Sequence, residues 1–391
     1  PPTHWKEPLK EAGGLEANIP FEFQKQISAS AFDASIFLEG PAGSGKTTAG
    51  VQRLLRLVES GVPAASILVL LPQRTLARAY NQAIRSIDFP AGGFPSVLTI
   101  GGLAQRIVRL FWPAIAQNAG FKRPYDPPVF LTLETAQYYM ARLAQPLLDK
   151  GYFEQLVIDR NRLFSQILDN LNKSALVGFA HSEIGERLKS AWIGKPAQLT
   201  VYEQAQECAN LFRAFCLENN LLDFSLQLDV FANQLWPSHL VRSYLNNQFR
   251  YLIYDNIEED VPVEHDIVLS WRPDFSGSLL IFDQGGGYRA FLGADPDHGY
   301  LLRDCCAETV SVERGVVPSA ELSHFSSALA AAIRRDRPID APANLRTAFS
   351  HNHQRFSTQM RTWRCWKRRW GEGIALTQGA RRAPLRAKTG Y

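Results

Sequence analysis

Eight consecutive residues, Gly40-Pro41-Ala42-Gly43-Ser44-Gly45-Lys46-Thr47, constrain this chain more than any other feature. They fit the pattern G-x-x-x-x-G-K-[ST], which works only between a strand and a helix. Apolar Ile36-Phe37-Leu38 lies just upstream, and residues 47–60 read as a helix. Glycines let the backbone curl until successive N–H groups face one point, and the helix N-terminus adds partial positive charge there. Such a loop cradles phosphates. Gly40, Gly43, Ser44 and Gly45 would present backbone to them, with Thr48 in the first helical turn. Lys46 would reach the β- and γ-phosphates, and the Thr47 hydroxyl would ligate Mg²⁺. The expected cofactors are therefore ATP, or a similar nucleotide, and Mg²⁺.

Four further runs rich in Ile, Val and Leu lack polar alternation and read as buried parallel strands. They cover residues 67–70, 97–100, 251–254 and 279–282. Strands alternating with helices imply a doubly wound α/β core. About 150 residues separate the third and fourth apolar runs after the loop's own strand is counted. Residues 131–148, 153–171, 184–192 and 202–217 repeat apolar side chains at three- and four-residue spacing, so this interval reads as an all-helical insertion. Asn219-Asn220 and Trp236-Pro237-Ser238 mark breaks. The expected organisation is a core of residues 1–100 with 250–310 and a helical insertion at 101–249. Residues 311–391 would hold a partial helix near 322–333 and a basic, disordered tail.

In Tyr251-Leu252-Ile253-Tyr254-Asp255 a carboxylate closes one apolar run. There it would hold Mg²⁺ through water. An Asp that merely ends a strand in a turn has the same sequence signature.

Composition excludes several classes. No apolar run approaches the roughly 18 residues of a membrane span, and the first residues lack a secretory pattern. The five cysteines show no C-x-x-C spacing, which reads as reduced thiols in a cytoplasmic protein. The net charge of +4 looks like a nucleic-acid signature, but its distribution argues otherwise. From Arg355 to Tyr391 there are ten Lys or Arg and one acid, so residues 1–354 are net negative. In that tail Trp363, Trp366 and Trp370 alternate with Arg and Lys. They would suit stacking on nucleic acid, a solvated basic terminus, or a chain end read out of frame.

The order of motifs resembles the N-terminal motor domain of superfamily 1 DNA helicases of the UvrD/Rep/PcrA type, over about residues 19–300. Phe21-Glu22-Phe23-Gln24-Lys25-Gln26 is similar to the family's adenine-reading segment, which makes Gln24 the base reader. Val69-Leu70-Leu71-Pro72-Gln73-Arg74-Thr75-Leu76-Ala77 and Thr99-Ile100-Gly101-Gly102-Leu103-Ala104 resemble segments that meet single-stranded DNA. Asn219-Asn220-Leu221-Leu222-Asp223-Phe224 resembles a Leu-Val-Asp-Phe segment before the acidic strand. The resemblance implies a RecA-like P-loop fold with a large all-helical insertion, ATP and Mg²⁺ as cofactors, and single-stranded DNA as partner. It implies Gln73, Arg74, Thr99, Tyr288 and Phe291 as DNA contacts. A second motor domain, or other subunits of a repair complex, would complete it; few residues follow the third motif here.

Three departures stand out. The family's acidic pair is Asp-Glu, whereas here it is Asp255-Asn256. An amide cannot take a proton from water as a carboxylate does. Glu258 and Glu259 lie close by as substitutes, although their positions match a Gln and an Asp of the family. Gly101 replaces a His, and in the third motif Leu292 replaces an Arg and the Gln is displaced or missing. Catalytic roles therefore fall to Lys46, Asp255 and Glu258. Two readings stay open: a DNA-dependent ATPase of a helicase motor, impaired in hydrolysis, and a non-hydrolysing helicase-like scaffold of a recombination or repair complex. The Leu-Leu-Asp-Phe segment and the ordered DNA-facing motifs argue against a third, an unrelated small-molecule kinase.

Overall fold

The computed structural model describes residues 22–86, 93–194, 199–313, 324–325 and 328–329. Most of the expected helix near 322–333, and the whole basic tail, lie outside the described residues. Helix α1 (Glu22–Ala29) leads to strand β1 (Ser35–Pro41), the phosphate loop and α2 (Lys46–Glu59). Strand β2 (Ile67–Leu70) is followed by a tight turn (Arg74–Ala77), α3 (Arg78–Arg85), β3 (Ser96–Leu98) and α4 (Ile100–Ile115). After the short β4 (Val129–Phe130) come α5 (Leu133–Leu148), α6 (Arg160–Val177), α7 (Ile184–Ala191) and α8 (Leu199–Glu218). Then follow β5 (Leu221–Leu222), α9 (Phe224–Val230), a π turn (Phe231–Leu235) and α10 (His239–Gln248). Strand β6 (Tyr251–Tyr254), α11 (Pro262–Trp271), β7 (Gly277–Gln284), α12 (Pro296–Tyr300) and β8 (Glu308–Ser311) complete the order.

Among the described residues six strands form one sheet in the order β3-β2-β6-β7-β1-β8, and every pair is parallel. This is a mixed α/β fold of the RecA-like type with a large helical insertion. All five apolar runs are strands. The sixth, Glu308-Thr309-Val310-Ser311, is an edge strand with mostly polar, partly exposed side chains, so it leaves no apolar run to read. Residues 99 and 100 were expected in the third strand. Instead Thr99 turns the chain, its hydroxyl accepting from Gly102 N at 3.0 Å, and Ile100 opens α4. The helix expected from 153 begins at Arg160, where Asp159 caps it; Phe153 sits at φ 63° in the preceding turn.

Alternation along the strands separates two cores. Ile36, Leu38, Ile67, Val69, Ile253, Leu279 and Ile281 pack beneath α1, α2 and Tyr80. Phe37, Leu68, Leu70, Leu252, Leu280 and Phe282 point to the other face, where they join the core that runs through α4 to α11. Each such fully buried side chain contributes roughly 1.5–3 kcal/mol by leaving water. The helical part therefore has no separate core. It is packed as a continuation of one face of the sheet.

Candidate functional site

The phosphate loop closes on itself around Lys46. Gly45 caps α2 at φ 86°, a conformation that side chains avoid, and a Cβ there would stand 2.6 Å from Gln24 Nε2. Gln24 is buried on α1 and donates from Nε2 to Gly45 O at 3.0 Å, so the expected base reader lies against the loop itself. Lys46 is 3% exposed. Its Nζ donates to Gly40 O (2.8 Å), Pro41 O (2.7 Å) and Ser44 Oγ (3.0 Å), and pairs with Asp283 Oδ1 at 2.7 Å. Those partners occupy all three protons of the ammonium. Gly43 on the loop and Thr48 in the first turn of α2 are exposed, and Thr47 is half-buried.

Asp283 was not singled out as a site residue in the sequence. It stands near the end of β7, in register with Gly40 on β1. The signal that would have found it is the one that found Asp255: an acid closing an apolar strand.

Asp255 follows β6 and is 1% exposed. Burial pushes its carboxyl up to about 6, and the charge of Asp283 adds to this; the Tyr80 and Thr47 hydroxyls oppose it. Tyr80, wholly buried on α3, donates to Asp255 Oδ2 at 2.9 Å. That reach depends on Gly50 in α2, where a Cβ would lie 2.3 Å from the Tyr80 hydroxyl. No sequence pattern marks Tyr80, since it arrives from a helix 175 positions away. The other oxygen, Asp255 Oδ1, is buried without a hydrogen-bond partner. A buried, unserved carboxylate oxygen beside a threonine hydroxyl is a donor set that suits Mg²⁺, which keeps several waters and takes phosphates as ligands. The residues fit the ion.

Beyond Asp255 the turn has an unusual course. Asn256 adopts φ 61°, a left-handed conformation that Asn tolerates. Its Nδ2 donates to Glu258 Oε1 at 3.4 Å. Glu258 is 1% exposed, and its Oε2 accepts the Asp283 backbone N–H at 2.8 Å. Burial pushes this carboxyl up to about 8, and the Asp283 charge adds to the effect while the Asp283 N–H opposes it. The turn thus brings Glu258 to the strand ends, bound to the β7 backbone. Glu259 goes further and accepts the N–H groups of Gly287, Tyr288 and Arg289.

The expected DNA contacts lie on two neighbouring loops and a helix start. Gln73 is extended and half-buried ahead of exposed Arg74. Tyr288 and Phe291, in the tight turn Tyr288–Leu292, are 77% and 55% exposed. Arg289 Nη1 reaches Pro72 O at 3.4 Å and links the two loops. Thr99 caps α4 just past β3, the strand that pairs with β2. The Leu-Leu-Asp-Phe segment has a structural logic. Asp223 caps α9 and pairs with buried Arg213 at 3.1 Å, Phe224 stands over Gly101, and Gln227 Nε2 donates to Gly101 O at 2.7 Å.

A nucleotide loop and an acidic strand end on a parallel sheet define a P-loop motor domain. The UvrD/REP helicase N-terminal domain matches residues 21–259, more than half of the chain, and the chain belongs to that family. It is a UvrD-type helicase motor domain; helicases of this kind use ATP with Mg²⁺ and bind DNA. No curated protein matches the chain. No helix among the described residues is long and apolar enough to cross a membrane.

Proposed function

We propose that this domain binds Mg²⁺-ATP and single-stranded DNA as a helicase motor in DNA repair or recombination, and that it turns ATP over slowly. One observation carries the nucleotide part: Gln24, Lys46, Thr47 and Asp255 converge on one loop, with Asp255 Oδ1 left without a partner. In this reading Gln24 reads the base, Lys46 meets the β- and γ-phosphates, and Thr47 and Asp255 hold the ion. The repair setting rests on family kinship alone.

Slow turnover rests on Asn256. Its amide cannot accept a proton from the attacking water, and losing such a carboxylate commonly removes a factor of roughly 10²–10⁴ in rate. Glu258 is the candidate replacement base. It is committed to the Asp283 N–H and favours its protonated form at neutral pH, which makes it a poor one. The same two observations favour a second reading, a subunit that holds nucleotide as a structural signal without spending it.

Titration with a fluorescent ATP analogue and Mg²⁺ tests the binding. The wild type should saturate at micromolar nucleotide, and Lys46→Ala should weaken binding at least tenfold. Equal binding by the two proteins would remove the loop from the account.

A further inference from the structure

The loop that displays Tyr288 and Phe291 is held from the turn that follows Asp255. Glu259 lies four residues after Asp255, and its carboxylate accepts three consecutive backbone N–H groups. Oε1 takes Gly287 N (3.2 Å) and Tyr288 N (3.1 Å), and Oε2 takes Arg289 N (3.1 Å). Those are the leading amides of the tight turn Tyr288–Leu292, which would otherwise go unsatisfied. Hydrogen bonds to an ionised acceptor are roughly twice as strong as neutral ones. Two exposed aromatic rings therefore stand on a backbone fixed by one carboxylate.

The same turn reaches the nucleotide side. Glu258 accepts the Asp283 N–H, and the Asp283 carboxylate grips Lys46. A continuous path of hydrogen bonds and one short turn of chain runs from Lys46 through Asp283, Glu258 and Glu259 to Tyr288. Arg289, held in the same clasp, bonds to Pro72 O and brings the loop after β2 into the path.

We propose that Glu259 is a positioning residue that couples DNA occupancy to nucleotide affinity by fixing the Tyr288–Phe291 loop against the turn that follows Asp255. The inference rests on the proposed DNA-binding function. Coupling of this kind is reciprocal: whatever factor DNA applies to nucleotide affinity, nucleotide applies to DNA affinity.

The test uses the full chain, a fluorescent ATP analogue with Mg²⁺, and a labelled oligo-dT strand. Nucleotide affinity is measured with and without saturating oligo-dT in wild type, Glu259→Ala, Glu259→Asp and Tyr288→Ala. Glu259→Ala should bind nucleotide alone within about twofold of wild type and bind oligo-dT roughly five- to twentyfold more weakly. The factor by which oligo-dT changes its nucleotide affinity should fall towards one. Glu259→Asp, which keeps the charge, should recover part of that factor; a merely structural role predicts no such recovery. A coupling factor unchanged in Glu259→Ala but lost in Tyr288→Ala overturns the inference and leaves the DNA function standing. Wild type that fails to bind oligo-dT overturns both. Should Glu259→Ala not fold, Glu259→Gln retains one acceptor oxygen and should lie between wild type and full loss; a wild-type coupling factor there contradicts the proposal.

Discussion

Lys46 has four partners within 3.0 Å, and one of them, Asp283, carries a charge. An incoming γ-phosphate must compete with that carboxylate for the ammonium and also bears its negative field. Two unit charges about 4 Å apart interact by roughly 4 kcal/mol at an effective dielectric near 20. Asp283→Asn is therefore expected to tighten nucleotide binding about three- to tenfold, since most of that field is screened in an open site. Weaker binding in Asp283→Asn, read by titration at fixed Mg²⁺, would instead mark Asp283 as a contributor to the ion's shell. At this scale the sequence was informative where chemistry is local. Lys46, Thr47 and the flanking glycines follow from one motif, and Asp255 follows from its place at a strand end. Tyr80 is equally close to the chemistry and was illegible, because it acts only through a partner far away in the chain; Asp283 carried the same strand-end signal as Asp255, and what was illegible is its pairing with Lys46. Glu258 was legible as a carboxylate near the right place. Its bond to the Asp283 N–H was not.

Helix starts carry much of the stability at the scale of elements. Asp223 caps α9 through Ser225 N and Leu226 N, and it is the only charge partner seen for buried Arg213 among the described residues. Replacing it leaves a guanidinium buried and unpaired, which costs about 3–5 kcal/mol. Asp223→Ala should lower unfolding stability by that order in denaturant titration, and a loss under 1 kcal/mol would show that Arg213 finds water on relaxation. The Leu-Leu-Asp-Phe segment was recognisable only through kinship, yet its physics is plain once folded: two strand residues, a cap, and a ring over Gly101. The strands were legible because buried parallel strands are continuous apolar runs. Strand β8 was not, since an edge strand has no need of one. The early end of β3 at Leu98 reflects the Thr99 cap winning over apolar Ile100, which is buried equally well at the start of a helix.

The sheet order explains the whole. Strands β6, β7 and β1 are adjacent, so their carboxyl ends bring Asp255, Asp283 and the phosphate loop together at one edge of the sheet. The intervening helices pack into the core of one sheet face, and the two aromatic-bearing and basic loops emerge beside the acidic turn. This layout suits a machine in which nucleotide and DNA share a frame, and an amide, Asn256, directly follows Asp255; slow turnover is the proposal that follows from it. The most direct test is the steady-state rate of ATP hydrolysis with saturating single-stranded DNA, in protein already shown to hold Mg²⁺-ATP. The expected rate is less than about 1 s⁻¹, the low edge of ordinary enzyme turnover, with a rise in Asn256→Glu. A wild-type rate well above that value, abolished by Lys46→Ala, would contradict it.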